Sequence, residues 1–197
     1  MSYDLAELER RLANVIRIGK IIEADYAAAR VRVASLGLET DWLPFVAQRA
    51  GKDRTWQPPE VGEQVVVFSP SGDPAMGIVL PGLYQDAHPP AGDAATVHRT
   101  IYDDGTVIEY DRAAHRAVVN LAAGGSSLLK SGAIELELSP AGIDLRGPVR
   151  IAGTLDVTEA VTINASVAIE GNVAVEGNID ATGTIMDGGG NSSNHSH

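Results

Sequence analysis

The sequence predicts an all-β protein in three parts: a short N-terminal helix, a small five-stranded barrel, and a C-terminal intertwined trimeric triangular β-helix with a pointed apex. Three observations carry that prediction. Between Ile18 and Tyr84, five short apolar-rich stretches are separated by turn signals. From Ile151 to Ile185, every odd-numbered position except Glu159 is apolar or glycine. This is strand periodicity sustained far beyond the usual strand of about 5–6 residues. Finally, the 197-residue chain is 44% hydrophobic but only 5% aromatic, and no aromatic residue follows Tyr110. The C-terminal part must fill its interior with Val, Ile, Leu, Ala and Gly, which suits a narrow, regular core.

The helix occupies residues 1–16, with its regular part over 4–16. Leu5, Leu8, Leu12 and Val15 fall at helical spacing, Asp4 with Glu7 resembles a capping box, and Gly19 supplies a stop. One apolar stripe on so short a helix needs a partner surface, either this chain's barrel or a neighbouring subunit. Residues 17–85 form the barrel, with strands near Ile18–Asp25, Arg30–Ala34, Trp42–Ala47, Gln64–Phe68 and Gly77–Tyr84. Leu36-Gly37, Pro58-Pro59 and Ser69-Pro70-Ser71-Gly72-Asp73 mark the turns between them. Five short strands with a long central connection are the pattern of an OB-fold barrel. Residues 86–127 form a linker and hairpin region. Pro89-Pro90-Ala91-Gly92-Asp93 lies in the linker, Val107, Ile108 and Tyr110 on one hairpin arm, and Val118, Val119 and Leu121 on the other.

The shaft is expected over residues 128–186. Its first part alternates on even numbers at Ile134, Leu136 and Leu138, then on odd numbers at Ile143, Leu145, Gly147 and Val149. The phase change at Ser139-Pro140-Ala141-Gly142 reads as a corner or bulge. Further on, a six-residue period lies over the two-residue one. Gly153, Ala165, Gly171, Gly177 and Gly183 share one phase; Val161, Val167, Val173, Ile179 and Ile185 fall on a second, and Ile151, Val157, Ile163, Ile169 and Val175 on the third. Each unit of six thus turns two branched side chains and one small one inward, as a triangular β-helix requires. A single chain coiled as a solenoid uses about 18 residues per turn, so this run makes barely two turns, fewer than the roughly three repeats such stacks need. Three chains wound about one axis pair their strands between subunits and leave no open lateral edge, which favours the trimer. Glu159 stands on the small-residue phase. Either a bulge swings it outward, or three glutamates meet a cation on the axis.

Residues 187–197 form the apex, closed by His195-Ser196-His197. In extended chain, His195 and His197 project to the same side, so a trimer brings six imidazoles to one point. Six nitrogen ligands suit an octahedral transition metal such as Fe(II), Co(II) or Ni(II) better than zinc, and a site filled by protein is structural. The formal charge is −11 and no Lys or Arg follows Arg150, so the segment from Ile151 onward should repel nucleic acid and anionic lipid, and its charge also reads simply as solubilising. The absence of cysteine excludes disulfides and thiolate metal sites. No stretch approaches the roughly 20 apolar residues of a membrane span, and Met1-Ser2-Tyr3-Asp4 opens no signal peptide. The expectation is synthesis in the cytoplasm, with any outside role reached by lysis or on a larger particle.

The chain resembles the baseplate assembly protein V family, the central spikes of contractile-tailed phages and of R-type pyocins. Arg17-Ile18-Gly19-Lys20-Ile21-Ile22-Glu23-Ala24-Asp25, Thr40-Asp41-Trp42-Leu43-Pro44, Arg54-Thr55-Trp56, Pro59-Glu60-Val61-Gly62-Glu63-Gln64-Val65, Leu80-Pro81-Gly82-Leu83-Tyr84 and the terminal His195-Ser196-His197 carry the likeness. The resemblance implies an OB domain docked on the baseplate hub and tail tube, and a homotrimeric β-helical shaft. It also implies one iron ion per trimer, held at the tip by six histidine nitrogens from His195 and His197. Such a spike sits at the tip of a phage tail baseplate or pyocin particle and is driven through the target cell's outer membrane when the sheath contracts. Some members carry calcium and chloride in the shaft; no motif here assigns those ions to residues.

Other functions fit less well. An OB module for nucleic acid or oligosaccharide would use the loop with Arg49, Lys52, Arg54 and Trp56, yet residues 17–85 carry seven Lys/Arg against eight Asp/Glu. A hexapeptide-repeat acyltransferase would need a longer run with a histidine in it; His88, His98 and His115 all precede it. The pairs Glu135/Glu137 and Asp103/Asp104 suggest acid–base hydrolysis only weakly, and read better as solvated or turn carboxylates. The sequence therefore predicts a non-enzymatic protein that does not bind nucleic acid.

Overall fold

A computed structural model describes residues 3–183. It divides at Arg146/Gly147 into two units. The first contains all the regular structure, which is mostly β as the sequence predicts.

Helix α1 spans Tyr3–Asn14. It ends well before Gly19, so that glycine is not its stop. The chain turns where the Val15 amide donates to the Leu12 carbonyl and the Asn14 Oδ1 accepts from Arg17. Glu7 does not reach back to cap the helix either; its carboxylate accepts hydrogen bonds from Arg10 and Arg11 at 2.7–2.8 Å. These are i,i+3 and i,i+4 pairs on one helix face.

The barrel follows from β1 (Ile16–Asp25), β2 (Arg30–Ser35), β3 (Leu38–Glu39), β4 (Leu43–Pro44), β5 (Gln64–Phe68) and β6 (Ile78–Leu83). The sheet order is β3-β2-β1-β5-β6, and β4 also pairs with β2. β1 is long enough to serve two neighbours: Ile16–Lys20 pair with β5, and Lys20–Asp25 with β2. A register shift between Ile21 and Glu23 bends it from one to the other. Just past β4, Phe45 bridges Val79 of β6, and the Val46 amide donates to the Val79 carbonyl. β4 thus touches β2 on one side, and the residues after it touch β6 on the other, which closes the barrel. The strand expected over Trp42–Ala47 is reduced to β4 and this bridge, and the two-residue β3 is an addition.

The fully buried apolar core is aliphatic. Ile21, Val31, Val33, Leu43, Val65, Val67 and Val79 are almost completely buried, with Ala24 and Phe45 packed against them. Gly19 lies opposite Val65 in β1, and a Cβ there would sit 2.5 Å from Val33 Cγ1 and 2.6 Å from the Ala34 carbonyl oxygen. Thus the β1–β2 approach, not a helix end, requires this glycine. Between β5 and β6, two 3-10 turns, Pro70–Gly72 and Pro74–Met76, replace the plain turn. Gly72 (φ 70°) receives α1: a Cβ there would come within 2.1 Å of the Arg11 carbonyl oxygen.

Two antiparallel meanders complete the first unit. β7 (Val97–Ile101), β8 (Val107–Asp111) and β9 (Arg116–Asn120) form one; the expected hairpin is β8–β9, and β7 adds a third strand. β10 (Ser127–Ser131), β11 (Ile134–Ser139) and β12 (Gly142–Arg146) form the other. The phase change at Ser139–Gly142 is the hairpin turn between β11 and β12, where Ser139 pairs with Gly142 and Gly142 takes φ 131°. Residues 127–146, most of them expected to open the shaft, therefore pair within one chain.

In the second unit, residues 147–183 form no strand among themselves and every one of them is exposed.

Candidate assembly interface

The features that stand out chemically are apolar surfaces without cover. The clearest is on the β10–β12 meander. Its ladder sets Leu129, Leu136 and Leu145 in one row, and Leu138 beside Ile143 in the next, with Ile134 at the edge. All six are on the same face and all are exposed. The opposite face carries the charges. Glu135 accepts from Lys130 at 2.5 Å and from Arg146 at 3.1 Å, and Arg146 also reaches Asp144 at 3.2 Å. Asp144, with Glu135 and Glu137, holds the Arg146 guanidinium above its ordinary pKa. One face is thus built for water, and the other is an aliphatic layer with nothing over it. Contiguous exposed apolar area of this kind marks an association surface.

The same holds in the second unit. Ile151, Leu155, Val157, Val161, Ile163, Val167, Ile169, Val173, Val175 and Ile179 are all exposed, and a Cβ built on Gly153, Gly171, Gly177 or Gly183 meets nothing within 4 Å. Among the described residues, these alternating side chains are left uncovered.

The residues singled out for chemistry fall as follows. His195 and His197 lie outside the described residues, as does the apex region as a whole. Among the described residues, no group of three or more His, Cys, Asp or Glu side chains is placed to hold a metal ion, and no helix is long and apolar enough to cross a membrane. Glu159 is exposed. His88, His98 and His115 are exposed; His115 takes the left-handed position (φ 51°) of the β8–β9 turn. Glu135 is tied up in ion pairs, and Asp104 accepts from the Thr106 amide and hydroxyl in a turn. Of the Asp103/Asp104 pair, Asp103 borders the cleft described below, while Asp104 is engaged in its turn.

The loop between β4 and β5 is more ordered than its sequence suggests. Ala50 bridges Arg54, the Thr55 hydroxyl accepts from the Arg49 amide, and Trp56 packs on Phe45 with ring centroids 6.0 Å apart. Trp56 borders a cleft of about 700 Å³ that extends to Tyr102 and Asp103. The cleft is lined by Glu60, Glu63 and Asp103 with no Lys or Arg, and Arg49 of the adjacent loop is paired with Asp53 at 3.5 Å. A nucleic-acid backbone meets no basic field here.

A closed barrel of short strands, a long β4–β5 connection and an aliphatic core define an OB domain, here carrying uncovered apolar surfaces. Residues 17–84 match the family described as the Type VI secretion system/phage-baseplate injector OB domain. The chain is also 43% identical over 108 residues to the spike protein of Escherichia phage P2, a match covering 55% of this chain and 51% of that protein. It therefore spans about half the length of that relative.

Proposed function

We propose that this protein is the central spike at the tip of a contractile phage tail or pyocin tube, a homotrimer that pierces the bacterial outer membrane mechanically when the sheath contracts and catalyses no reaction. The observation that carries this reading is the match to an injector OB domain together with a long alternating run whose apolar side chains, among the described residues, are uncovered in the single chain. Burying them takes other chains. Three copies wound about one axis enclose the odd-numbered residues and satisfy their backbone groups in inter-chain ladders, giving a stiff prism without lateral edges. The aliphatic face of β10–β12 fits the same arrangement, with three such faces closing on one axis and three charged faces turned out to water.

In this reading the OB domain docks on the baseplate hub and tail tube, and nucleic acid is no partner. The apex is closed by one iron ion per trimer, bound by the six nitrogens of His195 and His197 from three chains. An ion with six protein ligands ties the chain ends together, where fraying would begin. Calcium and chloride in the shaft are assigned to no residue, and at Glu159 either a bulge turns the side chain outward or three carboxylates meet a cation on the axis.

Native mass spectrometry with elemental analysis tests the proposal. The expected result is a trimer holding one iron ion. The double variant His195→Ala/His197→Ala should lose the metal and remain a trimer. A single-chain mass for the unmodified protein would overturn the spike; stoichiometric iron in the double variant would overturn the metal assignment.

A further inference from the structure

We propose that α1 of one copy of this chain lies across the outer face of the barrel of a second copy, so that three helices and three barrels lock into a ring. The proposal rests on the trimer put forward above. It starts from two uncovered surfaces in one domain.

The first is the helix stripe. Leu8 is 63% and Leu12 72% exposed, and Leu5 and Val15 are exposed beside them. The second surface was not evident in the sequence. The outer faces of β1, β5 and β6 carry two cross-strand rows, Ile16–Phe68–Ile78 and Ile18–Val66–Leu80. Ile16 and Ile18 are 59% and 55% exposed, and Phe68, Ile78 and Leu80 are exposed as well. An OB barrel needs its inner residues apolar; it has no use of its own for six apolar side chains outside.

The helix does not cover this face of its own barrel. Only Val15 separates Asn14 from Ile16, and the helix backbone at Arg11 is seated on Gly72 at the barrel's end. The Ser69 amide donating to the Val15 carbonyl fixes that junction. From this seat the leucines point away from the chain's own core.

The two surfaces match in size. Leu5 to Leu12 spans about 10 Å at 1.5 Å per residue. Three strands about 4.8 Å apart also give a face about 10 Å across. Helix and barrel face are different surfaces, so the contact is head-to-tail, and about a threefold axis it closes after three steps.

The chain has no cysteine, which makes cross-linking a clean test. The native mass of the unmodified protein is measured first; a single chain there defeats the trimer and this inference together. In a trimer, Leu8→Cys/Phe68→Cys or Leu12→Cys/Ile78→Cys, oxidised in dilute solution, should give a covalent trimer on a non-reducing gel. Each single-cysteine variant should stay one chain long. Three results would overturn the helix exchange while leaving the trimer standing: covalent dimers from Leu8→Cys alone, meaning that helix packs on helix; an internal disulfide within one chain, meaning that the helix folds back; or a trimer in which neither pair cross-links.

Discussion

At the scale of single residues, glycines show most directly what the barrel demands. Gly19 looks from the sequence like a helix stop, yet it sits in β1 facing the interior, where a methyl group would meet Val33 Cγ1 at 2.5 Å and the Ala34 carbonyl oxygen at 2.6 Å. The Val33 side chain can rotate away, but the Ala34 oxygen belongs to the paired strand and moves only with the ladder. Gly19→Ala should therefore destabilise the barrel by about 1–3 kcal/mol, the usual range for overpacking. Thermal unfolding followed by circular dichroism would show a midpoint lowered by several degrees. An unchanged midpoint would mean that the β1–β2 spacing is looser than described.

At the scale of elements, α1 depends on a local ion-pair set and β10–β12 on a partner. Hydrogen bonds from Arg10, then Arg11, hold the Glu7 carboxyl down at about 2, against a usual 4.5. A carboxyl depressed in the folded state contributes stability that is fully present above its usual value and lost as pH falls through about 2. The helix should accordingly keep these bonds well below pH 4.5, with their contribution to stability shrinking from there, and lose them only as the carboxyl protonates near pH 2. NMR titration of the Glu7 side chain would show a midpoint near the lower end. For the meander, Leu136 lies at the centre of the aliphatic face, between Leu129 and Leu145. Leu136→Asp removes nothing from the barrel core, so it should leave barrel unfolding unchanged while lowering the trimer fraction in sedimentation experiments. The strands themselves were legible because turn residues punctuate them and alternation marks their faces. What alternation does not say is which face is inside. Ile16 and Ile18 are as apolar as Ile21 and Val65, and only barrel closure turns the first pair out and the second in. Likewise, the phase change at Ser139–Gly142 signalled a break but did not distinguish a corner from a hairpin, since both move the apolar set by one residue.

At the scale of the whole molecule, the OB domain was readable from strand count and turn chemistry, because those are local signals. The C-terminal run is different: its period reports what encloses each residue without saying which chain does the enclosing. The six-residue spacing of Gly153, Gly171, Gly177 and Gly183 acquires a physical cause only when an axis is near, for in the single chain a Cβ at any of them meets open space. That makes Gly177→Val a sharp probe. In one copy a Cβ at Gly177 meets nothing within 4 Å, and Gly177 is not among the positive-φ positions, so an isolated chain should tolerate valine without strain. If three chains enclose this position, three valines converge on one level of the axis and overfill it, at a typical cost of about 1–3 kcal/mol for each misfit. The expected outcome is a reduced yield of trimer by native mass spectrometry, with barrel unfolding unaltered and with Ala at the same position causing a smaller defect. Full trimer yield from Gly177→Val would place this glycine outside the prism, and the six-residue period would then need an explanation other than a shared axis.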